Sequence, residues 1–580
     1  MADFIRDFFS DAFIIGVVTV AGFIFAILWF LHTREREKNG DAKEQAQQKK
    51  LNEILDEIRK LNRNGGLLVH SGITVSFYMG GLTNLDDPSD RVIFETAMTS
   101  LSEYRYEDAV DDFRKLFSNH PSAEEKISLL ILIGNCQFLN EEYDSALGSY
   151  MEALKWATRY CIDVPTAVAK GNIGLVYHKM GELGKALVWY NKALSQDVKI
   201  DYAQGQANQL GNIGLVYFEQ GKYPDALEYQ KNAQKINREM DNIQGVGNQL
   251  GNIGLIYQAM GKTDLSLDAL NQSLEIDRGQ GNKLGEAYTL GALGLLYRDI
   301  GDLKNSEKFH NDALRINEEI GHKFGIAAET GNLGLLYRQR GDWEKSLENH
   351  TKAAELFHDL NHRINEAKQW GNLGLLYRDQ GRIEKALEFF KRALKVYRET
   401  QYDLGIANQY GNIGLICIAE KNYDKALEFF RKAHRLHKAL GDRKGEGNDY
   451  GYCGIAYRCK NEYQQAIECH NKSLEIFREI PYPIGEAQEL TNIGVIYLDF
   501  GRYDDAMEYH SKALKLYRGL ENKYGEANQY ANIGGIFLSM GDQDKALDYY
   551  TRARNLFSEI RAEDKVAVLN EAIRSFPKRN

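Results

Sequence analysis

Apolar and polar residues alternate with the period of an α-helix along most of the chain, and residues 366–399 show the pattern clearly. The pattern predicts two amphipathic helices there, helix A over 366–379 and helix B over 383–399, with a turn at Gly381. The apolar face of helix A comprises Ala367, Trp370, Leu373, Gly374 and Tyr377, and that of helix B comprises Ala386, Phe390, Ala393, Leu394 and Tyr397.

The helix pair recurs with a period of 40 residues. About twelve units over 90–560 share the pattern, which predicts one elongated body of stacked repeats. A glycine inside a helix costs about 1 kcal/mol relative to alanine, so we expect each repeated glycine to lie where a neighbouring helix approaches closely. These glycines are Gly174, Gly214, Gly254, Gly294, Gly334, Gly374, Gly414, Gly454, Gly494 and Gly534.

The repeated positions resemble the signature of the tetratricopeptide repeat (TPR) superfamily in order and spacing, over roughly four-fifths of the chain. The residues that carry the resemblance are Trp370, Leu373, Gly374, Tyr377, Ala386, Phe390 and Ala393. It implies an all-α, right-handed superhelical solenoid whose concave side is lined by helix A.

The 40-residue unit is longer than the usual TPR unit of 34 residues. It has a glycine column, which includes Gly405 and Gly445, near the start of helix A and mostly lacks the usual proline. This variety resembles the spindle-orientation adaptors of the LGN or Pins type.

The N-terminal region predicts a membrane anchor. After a short segment at 1–12, residues 13–31 contain no charge and are long enough for a transmembrane helix. Basic residues follow this segment, so the positive-inside rule places the repeats in the cytoplasm. We therefore expect a single-pass membrane protein with its N-terminus outside, bound to the membrane through residues 13–31.

Residues 32–89 read as a stalk helix and linker. Within 44–62, apolar residues at 3-4-3 spacing are compatible with either a solvated stalk or a short coiled coil, and a coiled coil would allow self-association. Alternating apolar residues within 65–81 look like a strand. At the other end, residues 561–580 predict a capping helix and tail.

Composition narrows the functional classes. The net charge of −10 and pI near 5.8 argue against nucleic acid as a partner. The six cysteines form no C-x-x-C motif, and His310, His350, His470 and His510 follow the repeat as packing residues. We therefore predict no catalytic residues, no metal site, no cofactor and no enzymatic activity.

Asparagines form two columns on the face of helix A opposite to its apolar face. A primary amide can donate to and accept from a peptide backbone, so we expect these side chains to contact an extended peptide. The alternatives are hydrogen bonds between repeats, or retention after recent repeat duplication. Gly371, next to Asn372, would leave room for the ligand backbone. One column contains Asn172, Asn212, Asn252, Asn332, Asn372, Asn412, Asn492 and Asn532, and the other contains Asn208, Asn248, Asn408 and Asn528.

Three arginines, Arg298, Arg338 and Arg378, occupy one column in consecutive repeats. They could bind an acidic peptide segment through bidentate pairs. Asp299 and Asp379 follow two of them directly and could neutralise them instead.

These observations favour a membrane-anchored TPR scaffold or adaptor that binds an extended peptide or partner protein in its concave groove. One alternative is a protein-import or chaperone-docking receptor, by analogy of architecture. The other is a self-assembling structural coat protein.

Overall fold

A computed structural model describes residues 67–70, 73–76, 78, 82, 87–102, 105–119, 122–560, 562–574 and 576. The chain forms two compact units. The described residues up to Val216, with 225–252 and 275–285, belong to unit 1. Unit 2 takes residues 217–224, 253–274 and the described residues from Glu286 onward.

The described residues are almost entirely α-helical. The first helices are α1 (Pro88–Ser102), α2 (Tyr106–Asn119), α3 (Ala123–Leu139), α4 (Tyr143–Arg159), α5 (Asp163–Lys179), α6 (Leu183–Lys199), α7 (Ala203–Glu219), α8 (Tyr223–Glu239), α9 (Ile243–Ala259), α10 (Thr263–Gly279), α11 (Lys283–Asp299) and α12 (Leu303–Glu319). They are followed by α13 (Lys323–Arg340), α14 (Trp343–Asp359), α15 (Arg363–Asp379), α16 (Ile383–Glu399), α17 (Asp403–Ala419), α18 (Tyr423–Leu440), α19 (Arg443–Cys459), α20 (Tyr463–Glu479), α21 (Pro483–Asp499), α22 (Tyr503–Gly519), α23 (Lys523–Ser539), α24 (Gln543–Glu559) and α25 (Glu563–Arg574).

Packing follows the predicted helix pairs. In unit 2, α15 packs on α16 and α17 on α18, and each B helix packs on the next A helix. The A helices α13, α15, α17, α19, α21 and α23 also touch one another in succession. The helical solenoid is thus confirmed, and its superhelical hand stays a prediction.

Packing around the repeated glycine explains why glycine recurs at this position of each 40-residue repeat. A Cβ built on Gly374 would lie 2.5 Å from Cε1 of Phe390, and one on Gly334 would lie 2.8 Å from Cε1 of His350. The rings at these B-helix positions are fully buried. The glycine therefore admits a large side chain between the two helices of one repeat, as the pattern predicted.

The helix ends also repeat. A residue with positive φ closes nearly every helix, for example Gly381 (φ 73°), Gln401 (φ 52°) and Lys421 (φ 60°). The left-handed conformation at this place ends the helix and favours glycine. Several A and B helices begin with a side chain that caps the backbone N–H three residues later: Asp302, Asp342, Asn422, Asp442, Asn522 and Asp542.

The strand-like pattern near residue 70 is confirmed as a hairpin. Leu67–His70 (β1) and Ile73–Ser76 (β2) pair antiparallel, with Leu67 opposite Ser76 and His70 opposite Ile73. In unit 1, β2 lies beside α5.

No helix among the described residues is long and apolar enough to cross a membrane. They have at most 18 residues, about 27 Å at 1.5 Å per residue, and carry charges on their polar faces. This finding contradicts the predicted single-pass membrane localisation, which is corrected here. Segment 13–31, which was expected to anchor the chain, and segment 44–62, which was expected to self-associate, lie outside the described residues.

Unit 2 contains a contact between turns that are distant in sequence, which we call the seam. The turns between helices A and B at 220–222, 260–262 and 300–302 lie against the turns between helices B and A at 440–443, 480–483 and 520–523. Asn522 Nδ2 donates to the carbonyl oxygen of Asp299 at 3.1 Å, and Lys523 N donates to that of Ile300 at 3.4 Å. Residues more than 200 positions apart therefore touch, in contrast to a solenoid in which each repeat contacts only its neighbours.

Candidate functional site on the open face of the A helices

Each A helix has one face that its neighbours leave partly uncovered. On α15 this open face comprises Lys368, Asn372, Leu375 and Arg378, whereas Gly374 and Tyr377 point into the repeat. Because successive A helices touch, the open faces in unit 2 form one continuous surface. A partly exposed apolar column, represented by Leu335, Leu375 and Leu415, lies beside the asparagines.

The asparagines of the two columns differ in burial and in hydrogen bonding. Asn172 and Asn212 are buried, with 1% and 5% of their surface exposed, and Asn172 Nδ2 donates to Asn135 Oδ1 at 3.1 Å. Asn252 donates to Gln230 at 3.4 Å. In unit 1, therefore, these side chains contribute to the contacts between repeats, which was the alternative reading of the column.

Further members of the columns make hydrogen bonds on their own helix. Asn208 Oδ1 accepts from Gln204 at 2.9 Å, and Asn248 Oδ1 accepts from Gln244 at 3.1 Å. Asn332 and Asn412 make long bonds of 3.5 and 3.4 Å to the side chain three residues earlier. At this length they leave much of the hydrogen-bonding capacity of the amides unused.

A third group has unused amides at the surface. Within the part of the chain that the structure describes, Asn372, Asn408, Asn492, Asn528 and Asn532 are exposed or partly exposed and make no side-chain hydrogen bond to the protein. All five lie on A helices of unit 2. This group retains the two donors and the acceptor that recognition of a peptide backbone requires.

Gly371 was expected to leave room for a ligand backbone, but a side chain of the next repeat lies there instead. A Cβ built there would lie 3.2 Å from Nε2 of Gln409, on the next A helix. A Cβ built on Gly331 would lie 2.9 Å from Nε2 of Gln369, and one built on Gly451 would lie 2.7 Å from Oε1 of Glu489. The first glycine of the repeated motif thus accommodates a buried side chain of the next repeat.

Sequence reasoning missed this buried polar column, in which histidines of α12, α14, α20 and α22 bond to the A helix that follows. His350 Nδ1 donates to Gln369 Oε1 at 2.9 Å, and His470 Nδ1 lies 2.5 Å from Glu489 Oε2. Burial lowers the pKa of His350 to about 4, so this imidazole is neutral at pH 7. The signal was present: at a spacing of 40 residues, and with Thr289 as the exception, an amide or carboxylate recurs at Gln209, Gln249, Glu329, Gln369, Gln409, Asp449, Glu489 and Gln529.

The three arginines share two aspartates. Arg378 Nη2 lies 2.8 Å from Asp379 Oδ1, Arg338 Nε lies 3.4 Å from Asp379 Oδ2, and Arg298 pairs with Asp299 at 3.2 Å. Burial and the two neighbouring arginines lower the pKa of Arg338, against the opposing effect of Asp379. Arg338 Nη1 is buried without a hydrogen-bond partner. The aspartates therefore pair with the arginines, as the alternative reading expected. Three arginines share two aspartates, so one positive charge remains in excess.

No group of three or more His, Cys, Asp or Glu side chains among the described residues is arranged to hold a metal ion. The periodic histidines His310, His350, His470 and His510 are instead buried beside carboxylates or amides of the next repeat.

Stacked A and B helices with a 40-residue period define a helical-repeat protein. Residues 165–239, 247–319, 326–399, 405–479 and 486–559 match the family described as Tetratricopeptide repeat. These segments span more than half of the chain, which therefore belongs to the TPR family. Its repeats make it a protein-interaction scaffold. The narrower resemblance to LGN-type adaptors stays a prediction.

No curated protein matches the chain. The crystal structure of BtubC (BKLC) from P. vanneervenii is 20% identical, with a TM-score of 0.30, and the match covers 42% of this chain and 95% of that one. The crystal structure of Rap protein complexed with Competence and Sporulation Factor is 13% identical, with a TM-score of 0.44, and the match covers 68% of this chain and 99% of that one. These TM-scores are too low to transfer a property from either protein.

Proposed function

We propose that the open faces of the A helices in unit 2 bind an extended segment of a partner protein. The observation that carries the proposal is the set of surface amides that make no side-chain hydrogen bond to the described residues, represented by Asn372, Asn492 and Asn532. We propose further that α1 to α24 make up twelve repeats and that α25 caps the last of them.

The spacing of the repeats suits an extended ligand. Packed helices lie roughly 8–10 Å apart, and an extended peptide advances about 3.3 Å per residue. One asparagine per A helix would therefore meet about every third residue of the peptide. The neighbouring leucine column, which includes Leu375, would contact apolar side chains of the same segment.

The arginine column favours acidic residues in that segment. Among the described residues, Arg298, Arg338 and Arg378 pair with two carboxylates, those of Asp299 and Asp379, so a third carboxylate from a ligand would complete the pairing. The asparagines would hold the backbone, and the arginines would select among sequences.

Peptides selected from a random-sequence library against the full chain test this function. Their dissociation constants would be measured by fluorescence anisotropy for the wild type and for the Asn372→Ala/Asn492→Ala/Asn532→Ala variant. Each lost hydrogen bond is worth about 0.5–1.5 kcal/mol, so we expect binding to weaken at least about tenfold. Unchanged binding by a folded triple variant would refute the proposal.

Asn311→Ala/Asn349→Ala is the matched control. Both side chains lie on B helices and donate to the backbone of their own helix, at 2.8 Å in each case. This variant should keep the wild-type dissociation constant.

A further inference from the structure

The residue just before the left-handed position after each A helix differs between covered and uncovered turns of unit 2. In the seam this residue is the first of each turn after an A helix, namely Gln220, Met260 and Ile300. The next four repeats have polar or charged residues at this position, namely Arg340, Gln380, Glu420 and Lys460. Two of these three covered turns thus have an apolar residue at this position and the third has the buried Gln220, whereas the next four turns have exposed or partly exposed polar residues.

The last two A helices depart from this rule. Phe500 and Met540 are apolar, yet 53% and 51% of their surface is exposed. Leu538, at the end of α23, is 45% exposed. We name Phe500, Leu538 and Met540 the C-terminal turn surface. Exposed apolar side chains of this size, on two successive turns, are typical of an interaction site.

The opposite side of the seam shows which kind of side chain packs against a turn after an A helix. Ile480 directly follows helix α20 and is only 4% exposed. It packs on the turn at Gly221, where an added Cβ would lie 3.2 Å from Ile480 Cδ1. Ile320 occupies the same position of its own repeat and is 39% exposed. Leu360, one repeat later, is partly exposed.

We propose that the C-terminal turn surface binds the edge formed by Ile320 and Leu360 on a second copy of this chain. The contact would repeat, between two molecules, the edge-to-edge packing that forms the seam within one molecule. Both surfaces carry exposed apolar side chains, and removing these side chains from water favours association. Because the two surfaces differ, one copy can use both, and the assembly is head-to-tail.

Sedimentation velocity on the full chain over a wide concentration range tests the proposal. We expect the wild type to sediment faster as its concentration rises. Phe500→Asp/Met540→Asp and, separately, Ile320→Asp should each remain monomeric. Val188→Asp/Val198→Asp is the matched control, because these α6 side chains are 52% and 59% exposed and belong to neither surface. It should associate like the wild type.

Mixing the two monomeric variants provides the decisive measurement. Ile320→Asp retains an intact C-terminal turn surface, and Phe500→Asp/Met540→Asp retains an intact Ile320 edge. We therefore expect a 1:1 heterodimer that does not grow further. Circular dichroism of each variant would establish that it folds.

Three results would overturn the proposal: a wild type that is monomeric at every concentration, association that survives Phe500→Asp/Met540→Asp, or a mixture that stays monomeric. Concentration-independent protection of residues 498–541 from hydrogen exchange would overturn it too, because the surface would then be covered by its own chain.

Discussion

The ring of Phe390 fills the space that Gly374 leaves open, so that a Cβ at Gly374 would lie 2.5 Å from Cε1 of the ring. We expect Gly374→Ala to lower the free energy of unfolding by about 1–3 kcal/mol, because overpacking outweighs the gain in helix propensity. Urea unfolding followed by circular dichroism measures the change.

Gly184→Ala is the matched control. Gly184 lies inside α6, and beyond the nearby backbone of that helix no atom of the described residues lies within 4 Å of a Cβ built there. Helix propensity alone then acts, and we expect the free energy of unfolding to rise by about 0.5–1 kcal/mol. Equal effects of the two substitutions would contradict the packing argument.

The turns after the A helices offer a second prediction. Lys421 has a φ of 60°, at a place where most repeats have glycine. The left-handed conformation costs a non-glycine residue roughly 1–2 kcal/mol. Lys421→Gly should therefore raise the urea midpoint. Gly381→Ala, at the matching turn with a φ of 73°, should lower it. A lower midpoint for Lys421→Gly would refute this account.

His350 predicts a pH dependence of stability. Burial lowers its pKa from about 6.5 to about 4, so the unfolded chain binds a proton between these values that the folded chain does not. The stabilisation is fully present above pH 6.5 and is lost as the pH falls towards 4, by up to about 3 kcal/mol.

His350→Phe should reduce this dependence. Phe390 and Phe430 occupy the same position in their repeats and are fully buried, so phenylalanine fits there. Thermal unfolding at several pH values between 4 and 7.5 should show a shallower slope for the variant. Identical slopes would mean that His350 does not cause the effect.

The two classes of asparagine should differ in stability assays. Asn172 is buried and donates to Asn135 Oδ1, which also accepts from the hydroxyl of Tyr150, so Asn172→Ala removes one buried hydrogen bond and should cost about 0.5–1.5 kcal/mol. Asn372 makes no hydrogen bond to the described protein residues and is partly exposed, so Asn372→Ala should change stability by less than about 0.5 kcal/mol. Urea unfolding of both variants compares them directly, and a large loss for Asn372→Ala would place it among the structural asparagines.

Sequence patterns predicted the local structure well, because the helical period and the turn residues act over a few positions. The helix pair around Gly381, the close approach at Gly374 and the strand at Ile73 are examples. The membrane localisation was wrong, since it depended on a short segment outside the described residues and no described helix could span a membrane.

The sequence by itself determined which residues of each helix face the core and which face outward. Only the tertiary structure decided what the outward residues meet. Gly371 contacts Gln409 on the next helix, Asn172 is buried by Asn135, and Asn522 reaches Asp299 across the seam. The reason is physical: helical periodicity is set by neighbours three and four positions apart. Contacts over 37, 38 or 223 positions depend on how successive repeats stack.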